Sequence, residues 1–306
     1  MESYDTGSLI TLVINSIICP FTFALNVLVI IAVKKTPRLQ TKANVLLACL
    51  AVTDVFTGFI AQPSFILWKA LQFAGLPEKD HIGIFHSSLL RGLSICSALH
   101  LMLVNCERLI AIRFTYQHPY LVTARNIKVA VIIFWIISIF YVILGLIDVE
   151  TEAVTLTFEF LAVLIVISCV ILIASAYTIM YREIRRHQKK IKNQQLPQGE
   201  EQRFARENKA FKTTVLVVGA VIVCFLPIAL TVAVFMLFRI DTNTGVVGSQ
   251  SCIPCPWVNT FIMLNSFINP LIYCWRQKEM RNYVFRFSCT SAVEPLANTS
   301  GWNFKL

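Results

Sequence analysis

Several polar side chains stand inside oily stretches, where their chemistry is most consequential. LACLAVTDVF carries a carboxylate, Asp54. LNSFINPLIY carries the amides Asn265 and Asn269, then a helix breaker and a phenol, Pro270 and Tyr273. FALNVLVI and SICSAL add Asn26 and Ser97. Each alone reads as an interhelical hydrogen bond, worth under about 2 kcal/mol. Taken together on different segments, they point to one hydrated polar cluster. CERLIAIRF holds a second constellation, Glu107 beside Arg108, at the end of another oily run. A charge at mid-bilayer depth costs about 2.5–3.5 kcal/mol or more, so it faces a protein interior and needs partners. Arg91 is a further isolated charge; it suits a ligand carboxylate or phosphate, or an internal partner such as Glu159.

The elements that position these groups follow from composition. The chain has 306 residues, of which 56% are hydrophobic and 14% charged. Soluble domains carry about 25% charge, so this chain has too little polar surface for water. A helix crossing the ~30 Å hydrocarbon core needs about 20 apolar residues. Seven runs meet that length: Leu9–Val33, Asn44–Leu71, Ile82–Ile112, Ile127–Ile147, Thr155–Tyr181, Thr213–Phe238 and Pro256–Trp275. The expected fold is an all-α membrane protein, a bundle of seven transmembrane helices with a short amphipathic helix after it.

The net charge of +10 is unevenly placed. One set of alternate loops carries Lys34, Lys35, Arg38 and Lys42, then Arg113, Arg125 and Lys128, then ten basic residues between Arg182 and Lys212. The opposite loops hold Lys69, Lys79 and Arg239 beside Glu78, Asp80, Asp148, Glu150, Glu152 and Asp241. The positive-inside rule puts the basic set in the cytoplasm, the N-terminus outside and the C-terminus inside. The basic patches therefore serve topology and anionic lipid rather than nucleic acid. Met1–Ser8 is too short and lacks the basic start of a cleaved signal, so the first run is expected to act as an uncleaved anchor. The domain expectation is residues 1–8 outside, 9–275 as the bundle, 276–288 as a juxtamembrane helix around EMRNYVFRF, and 289–306 as a flexible tail.

Most of the ten cysteines lie in the spans as small apolar packers. Cys252 and Cys255 differ, in SCIPCPW of the last outside loop. They suit a local disulfide; half of a zinc site is the rival, and no second pair completes it. Cys289 follows a basic aromatic stretch and is either a palmitoylation site or an unmodified thiol. Ser288, Thr290, Ser291, Thr299 and Ser300 are candidate kinase and arrestin positions, and Phe304 and Leu306 could add a strand to a PDZ domain. No HExxH, GxSxG or phosphate loop occurs, which disfavours an enzyme.

The motifs, in order and spacing, resemble the rhodopsin-like (class A) G-protein-coupled receptors across nearly all seven spans. LNVLV, NVLLACLAVTD, CERLIAI, Trp135, Tyr177, CFLP and NPLIY carry the resemblance. It implies an extracellular ligand, a heterotrimeric G protein and a plasma-membrane location. It implies that Asp54, Ser97, Asn265 and Asn269 line a sodium pocket. It implies that Arg108 pairs with Glu107 and, across the bundle, with Glu207. Tyr177, Phe225, Pro227, Asn269, Pro270 and Tyr273 are then the moving parts. Trp68, His86, Phe225, Leu226 and Met263 would line the ligand cavity, with Arg91 nearby.

The departures are specific. Leu109 replaces the usual Tyr after the Arg, Leu25 the Gly before Asn26, and Phe225 the Trp of CFLP. Cys169 stands where the fifth span usually has Pro. Gly83 stands where most members have the Cys that ties the third span to the second outside loop. The last two resemble melanocortin receptors, and the missing bridge also resembles cannabinoid and other lipid receptors. RLIAIRF and the outer Cys-x-x-Cys resemble adenosine receptors. Leu90 at the amine-binding Asp position disfavours biogenic amines, and Met263 at the retinal Lys position disfavours retinal. Val232 departs from the adenosine pattern, and Ser64, Gly83 and Ser87 from the melanocortin one. The ligand expectation is therefore a nucleoside, peptide or lipid-like molecule. The alternatives are a receptor-like protein with weak or no G-protein coupling, and an ion-coupled transporter using the Asp54 cluster.

Overall fold

A computed structural model of the chain describes residues 6–114, 116–147, 152–193, 219, 223–224 and 256–286. Glu207, Phe225, Leu226 and Pro227, most of the expected sixth span, Cys252, Cys255, Cys289 and the tail lie outside the described residues.

The described chain is helical: α1 (Thr6–Lys35), α2 (Lys42–Phe56), α3 (Gln62–Ala74), α4 (Lys79–Arg113), a single turn α5 (His118–Leu121), α6 (Ala124–Leu146), α7 (Glu152–Asn193), α8 (Pro256–Arg276) and α9 (Lys278–Arg286). Five helices among the described residues are long and apolar enough to cross a membrane, with α2 and α3 counted as one span, Lys42–Ala74. The amides Asn259, Asn265 and Asn269 and the proline dilute α8, which is long enough to cross but less apolar. The helices run beyond the apolar runs that identified them. Their end turns are polar and mark the lipid–water boundary.

The local starts and stops have ordinary causes. Thr41 and Thr123 cap α2 and α6, each hydroxyl accepting from the backbone N–H three residues on, at 3.3 and 3.2 Å. Gly75 ends α3 in the left-handed region at φ 67°, which only glycine adopts freely.

The second span holds a feature that hydropathy cannot show. Thr57–Ala61 is a π-helical turn joining α2 to α3. Its cause is Pro63, which has no N–H to donate and would clash with a regular preceding turn. The wider turn sends the Gln62 N–H to the Thr57 carbonyl. The Gly58 carbonyl instead accepts the Cys19 thiol of α1 at 3.3 Å.

Helix α4 is the centre of the bundle, packing against α2, α3, α6 and α7, while α1 packs against α2, α3 and α8. The bundle buries polar groups among its apolar core and turns apolar side chains outward. Every buried residue of α1 from Thr11 to Asn26 is polar: Thr11, Asn15, Thr22 and Asn26. Ile17 and Phe21 of α1, and Ile132, Ile136, Ile139 and Ile143 of α6, are exposed. A helix with this distribution has hydrocarbon as its solvent. Small residues bring α4 and α6 close: the Ser138 hydroxyl of α6 donates to the Gly92 carbonyl at 2.9 Å.

Candidate functional site

Polar groups gather at three levels along the bundle. The outer level joins α3, α4 and α8. Phe65, Trp68, Leu90, Val258, Ile262 and Met263 form one buried cluster. His86 is fully buried beside it. Its ring stacks on Trp68, with centroids 5.7 Å apart and planes at 26°. The network assigns its tautomer. His86 Nδ1 is 3.1 Å from the Ala61 carbonyl, which only accepts, so Nδ1 carries the hydrogen. Nε2 is then the acceptor for the Asn259 amide at 3.4 Å. Ser64 completes the group, its oxygen 3.0 Å from Nδ1. Lys69 is almost buried, with Nζ 4.2 Å from the Trp68 ring centroid and 2.9 Å from Gln72 Oε1.

Trp68, His86 and Met263 stand at this one level of the bundle, and Arg91 stands elsewhere. A Cβ on Gly145 would be 2.8 Å from Arg91 Nη1, which places the guanidinium over α6. Asn259 and Phe65 belong to this level and the sequence reasoning missed both. Asn259 had a visible signal, an amide one turn before Met263 on the same apolar helix.

The middle level joins α1, α2, α4 and α8. The Asn269 amide donates to Asp54 Oδ2 at 2.9 Å. Ser266, which sequence reasoning missed, faces the same carboxylate. Asn26 Nδ2 donates to the Ser266 carbonyl at 3.0 Å. That carbonyl is free because residue 270, its helical partner, is proline. Asp54 Oδ1, Ser97 Oγ, Asn265 Oδ1 and Asn269 Oδ1 are buried without a hydrogen-bond partner. Unpartnered buried oxygens are costly. A carboxylate oxygen and neutral amide and hydroxyl oxygens are the donor types that a small hard cation takes. Tyr273 lies one turn further in, fully buried, its hydroxyl also unpartnered.

The inner level is the end of α4. Glu107 is 5% exposed, with Oε2 3.6 Å from Arg108 Nε. Its other oxygen is 3.0 Å from His118 Nε2 on the α5 turn. Arg113 of α4 pairs with Glu183 of α7 at 3.8 Å. Leu109, the residue in the Tyr position, packs with Ile112 and Tyr177 against Met180 and Ile184 of α7. An apolar side chain suits that seam. Tyr177 stacks on Tyr181, centroids 6.5 Å apart. His118 and Glu183 carried no motif and were not anticipated.

Apolar helices closed around a buried polar axis define a multi-pass membrane protein. The family model described as "7 transmembrane receptor (rhodopsin family)" matches residues 25–273. The chain belongs to that family and is a G-protein-coupled receptor. It is 24% identical to the adenosine receptor A2a of Equus caballus, over 90% of this chain and 71% of the relative. It is 25% identical to the Homo sapiens adenosine receptor A2a, over the same shares of 90% and 71%. Trace amine-associated receptor 365 of Petromyzon marinus is 24% identical, over 84% of this chain and 73% of the relative.

Proposed function

We propose that this receptor converts binding of an extracellular ligand at the outer level into nucleotide exchange on a cytoplasmic heterotrimeric G protein, through Arg108. The observation that carries the proposal is the end of α4, where Arg108 stands 3.6 Å from the buried Glu107 carboxylate. Arg108 is held there while the receptor is quiet, with Glu207 as its second partner. Ligand binding weakens that hold, and Arg108 with Tyr177 and Tyr273 then shapes the cleft for the G protein. A few kcal/mol of bias is sufficient for such a two-state element. The basic loops support an outside N-terminus and an inside C-terminus in the plasma membrane.

The outer level suits a flat, uncharged ligand of the nucleoside kind. Trp68 and Phe65 supply aromatic faces, and Asn259 and Ser64 supply neutral hydrogen-bonding groups. The adenosine receptors among the relatives support testing nucleosides before peptides and lipids. Asp54, Ser97, Asn265 and Asn269 would hold a sodium ion, whose charge would be balanced by Asp54 and would favour the quiet state. We assign the protein no enzymatic step. Cys252 and Cys255 are proposed to bridge locally, Cys289 to carry palmitate, and the tail to meet arrestin and a PDZ domain.

The test is G-protein activation in cells across all subtypes, comparing this chain with Arg108→Ala at equal surface expression. Basal activity that disappears in the variant supports the reading and identifies the G protein. Basal activity of the wild type that persists undiminished in Arg108→Ala defeats it.

A further inference from the structure

We propose that the α5 turn makes this receptor responsive to cytosolic pH, through competition between His118 and Arg108 for the Glu107 carboxylate. The proposal rests on the reading of Arg108 as the coupling residue.

Glu107 lies between two nitrogen donors of different kinds. His118 Nε2 is 3.0 Å from Oε1, and Arg108 Nε is 3.6 Å from Oε2. The carboxylate is 5% exposed, while His118 and Arg108 are 22% and 25% exposed. The acid is thus shielded, and both bases reach it from the rim. Arginine stays charged throughout the physiological range. Histidine is the side chain whose ordinary charge change falls within about pH 5 to 8.

Other charges near this end are accounted for separately. Arg113 and Arg186 are each 3.8 Å from Glu183 Oε2 on α7. Arg125 and Lys128, on the first turns of α6, are exposed. Among the described residues, Glu107 is the carboxylate that His118 reaches.

The sign follows from charge. Protonated His118 draws Glu107 toward α5 and repels the Arg108 guanidinium across the same carboxylate. Both effects loosen Arg108. Neutral His118 keeps at most an uncharged hydrogen bond, and the full carboxylate charge falls to Arg108. Acidification of the cytosol should therefore raise basal coupling and alkalinisation should lower it.

The experiment uses the full chain in nanodiscs, as wild type, His118→Tyr and Arg108→Ala. Tyrosine keeps a hydroxyl donor for Glu107 but does not titrate in this range. Nucleotide exchange on purified G protein is read between about pH 5 and pH 8, where the ordinary charge change of histidine falls. Exchange is expressed relative to His118→Tyr, which removes the pH dependence of the G protein itself. The expected result is a wild-type ratio that rises roughly two- to fivefold toward acid, the size of a partly exposed ion pair. Parallel pH profiles of exchange for wild type and His118→Tyr overturn the proposal. Exchange by wild type that never exceeds Arg108→Ala at any pH defeats the underlying reading of Arg108 instead.

Discussion

A Cβ atom on Gly83 would stand 2.7 Å from the indole nitrogen of Trp68. Contacts of that kind under 3.0 Å are essentially never made, so the indole occupies the space that any larger residue at 83 would need. In the family pattern that position carries the cysteine of the outer disulfide. Here the stack of Trp68 on His86, and the bonds from His86 to the Ala61 carbonyl and Asn259, tie the outer end of α4 to α3 and α8. Packing and hydrogen bonds do locally what a covalent bridge does elsewhere.

Restoring a side chain at this position should therefore harm the protein. Gly83→Val is expected to lower stability by about 1–3 kcal/mol, the usual cost of forcing volume into a packed site. Gly83→Ala should cost less but remain measurable. Thermal unfolding of the purified receptor checks both. An unfolding temperature unchanged in Gly83→Val would mean that Trp68 moves aside freely and does not anchor α4.

The middle level gives a prediction about salt. If Asp54 and its neighbours hold sodium, sodium chloride should raise the unfolding temperature above potassium chloride at equal ionic strength. Ligation of the native state stabilises by mass action, about 2.7 kcal/mol when the ion is a hundredfold above its Kd. Asp54→Asn keeps the size and hydrogen bonding but removes the balancing charge. It should abolish the difference between the two salts. A sodium effect that persists in Asp54→Asn would place the ion elsewhere.

These levels were unequally legible in the sequence. Asp54, Asn265, Asn269, Glu107 and Arg108 were legible because a polar group in an oily run is costly and therefore conspicuous. The described spans were legible because crossing hydrocarbon demands about 20 apolar residues in a run. His118 was not legible. It lies in a polar loop, where a histidine attracts no notice, and its meaning comes from α5 folding back under Glu107. The π turn was hidden for another reason. Pro63 signals a disturbed helix but not whether the chain kinks, breaks or widens. Leu109 departs from the family's usual Tyr, and its place against Met180 and Ile184 shows the apolar seam that it fits.

Helices α4 and α6 should tolerate little enlargement at their contact. A Cβ on Gly92 would be 2.5 Å from Val142 Cγ2 and 2.7 Å from the Ser138 carbonyl. On the other helix, a Cβ on Gly145 would be 2.5 Å from the Ser88 hydroxyl. Gly92→Leu is expected to reduce surface expression severely, because backbone atoms of α6 cannot rotate away. Gly145→Ala adds a single methyl, which would also stand 2.8 Å from the fixed Ser88 Cβ, so it should lower expression too, though less than the leucine. Flow cytometry of an extracellular tag, with unfolding measured on whatever is recovered, ranks the two. Equal expression of Gly92→Leu and wild type would show that the two helices do not meet as described.

Pro270 makes α8 depend on a donor from α1. A helix normally pairs the carbonyl of Ser266 with the N–H of residue 270, and proline has none. The Asn26 amide of α1 fills that role at 3.0 Å. Removing it alone, by Asn26→Ala, leaves a buried carbonyl unsatisfied and should cost about 1–3 kcal/mol. Pro270→Ala supplies the missing N–H from within α8. In that background the Ser266 carbonyl no longer depends on α1, so Asn26→Ala should cost less. The double-mutant cycle isolates this dependence from whatever else each substitution does. The coupling should be favourable by about 0.5 kcal/mol or more, the lower bound for residues sharing a partner. Strict additivity of the two unfolding free energies would separate Asn26 from the proline and leave its burial to be explained by packing alone.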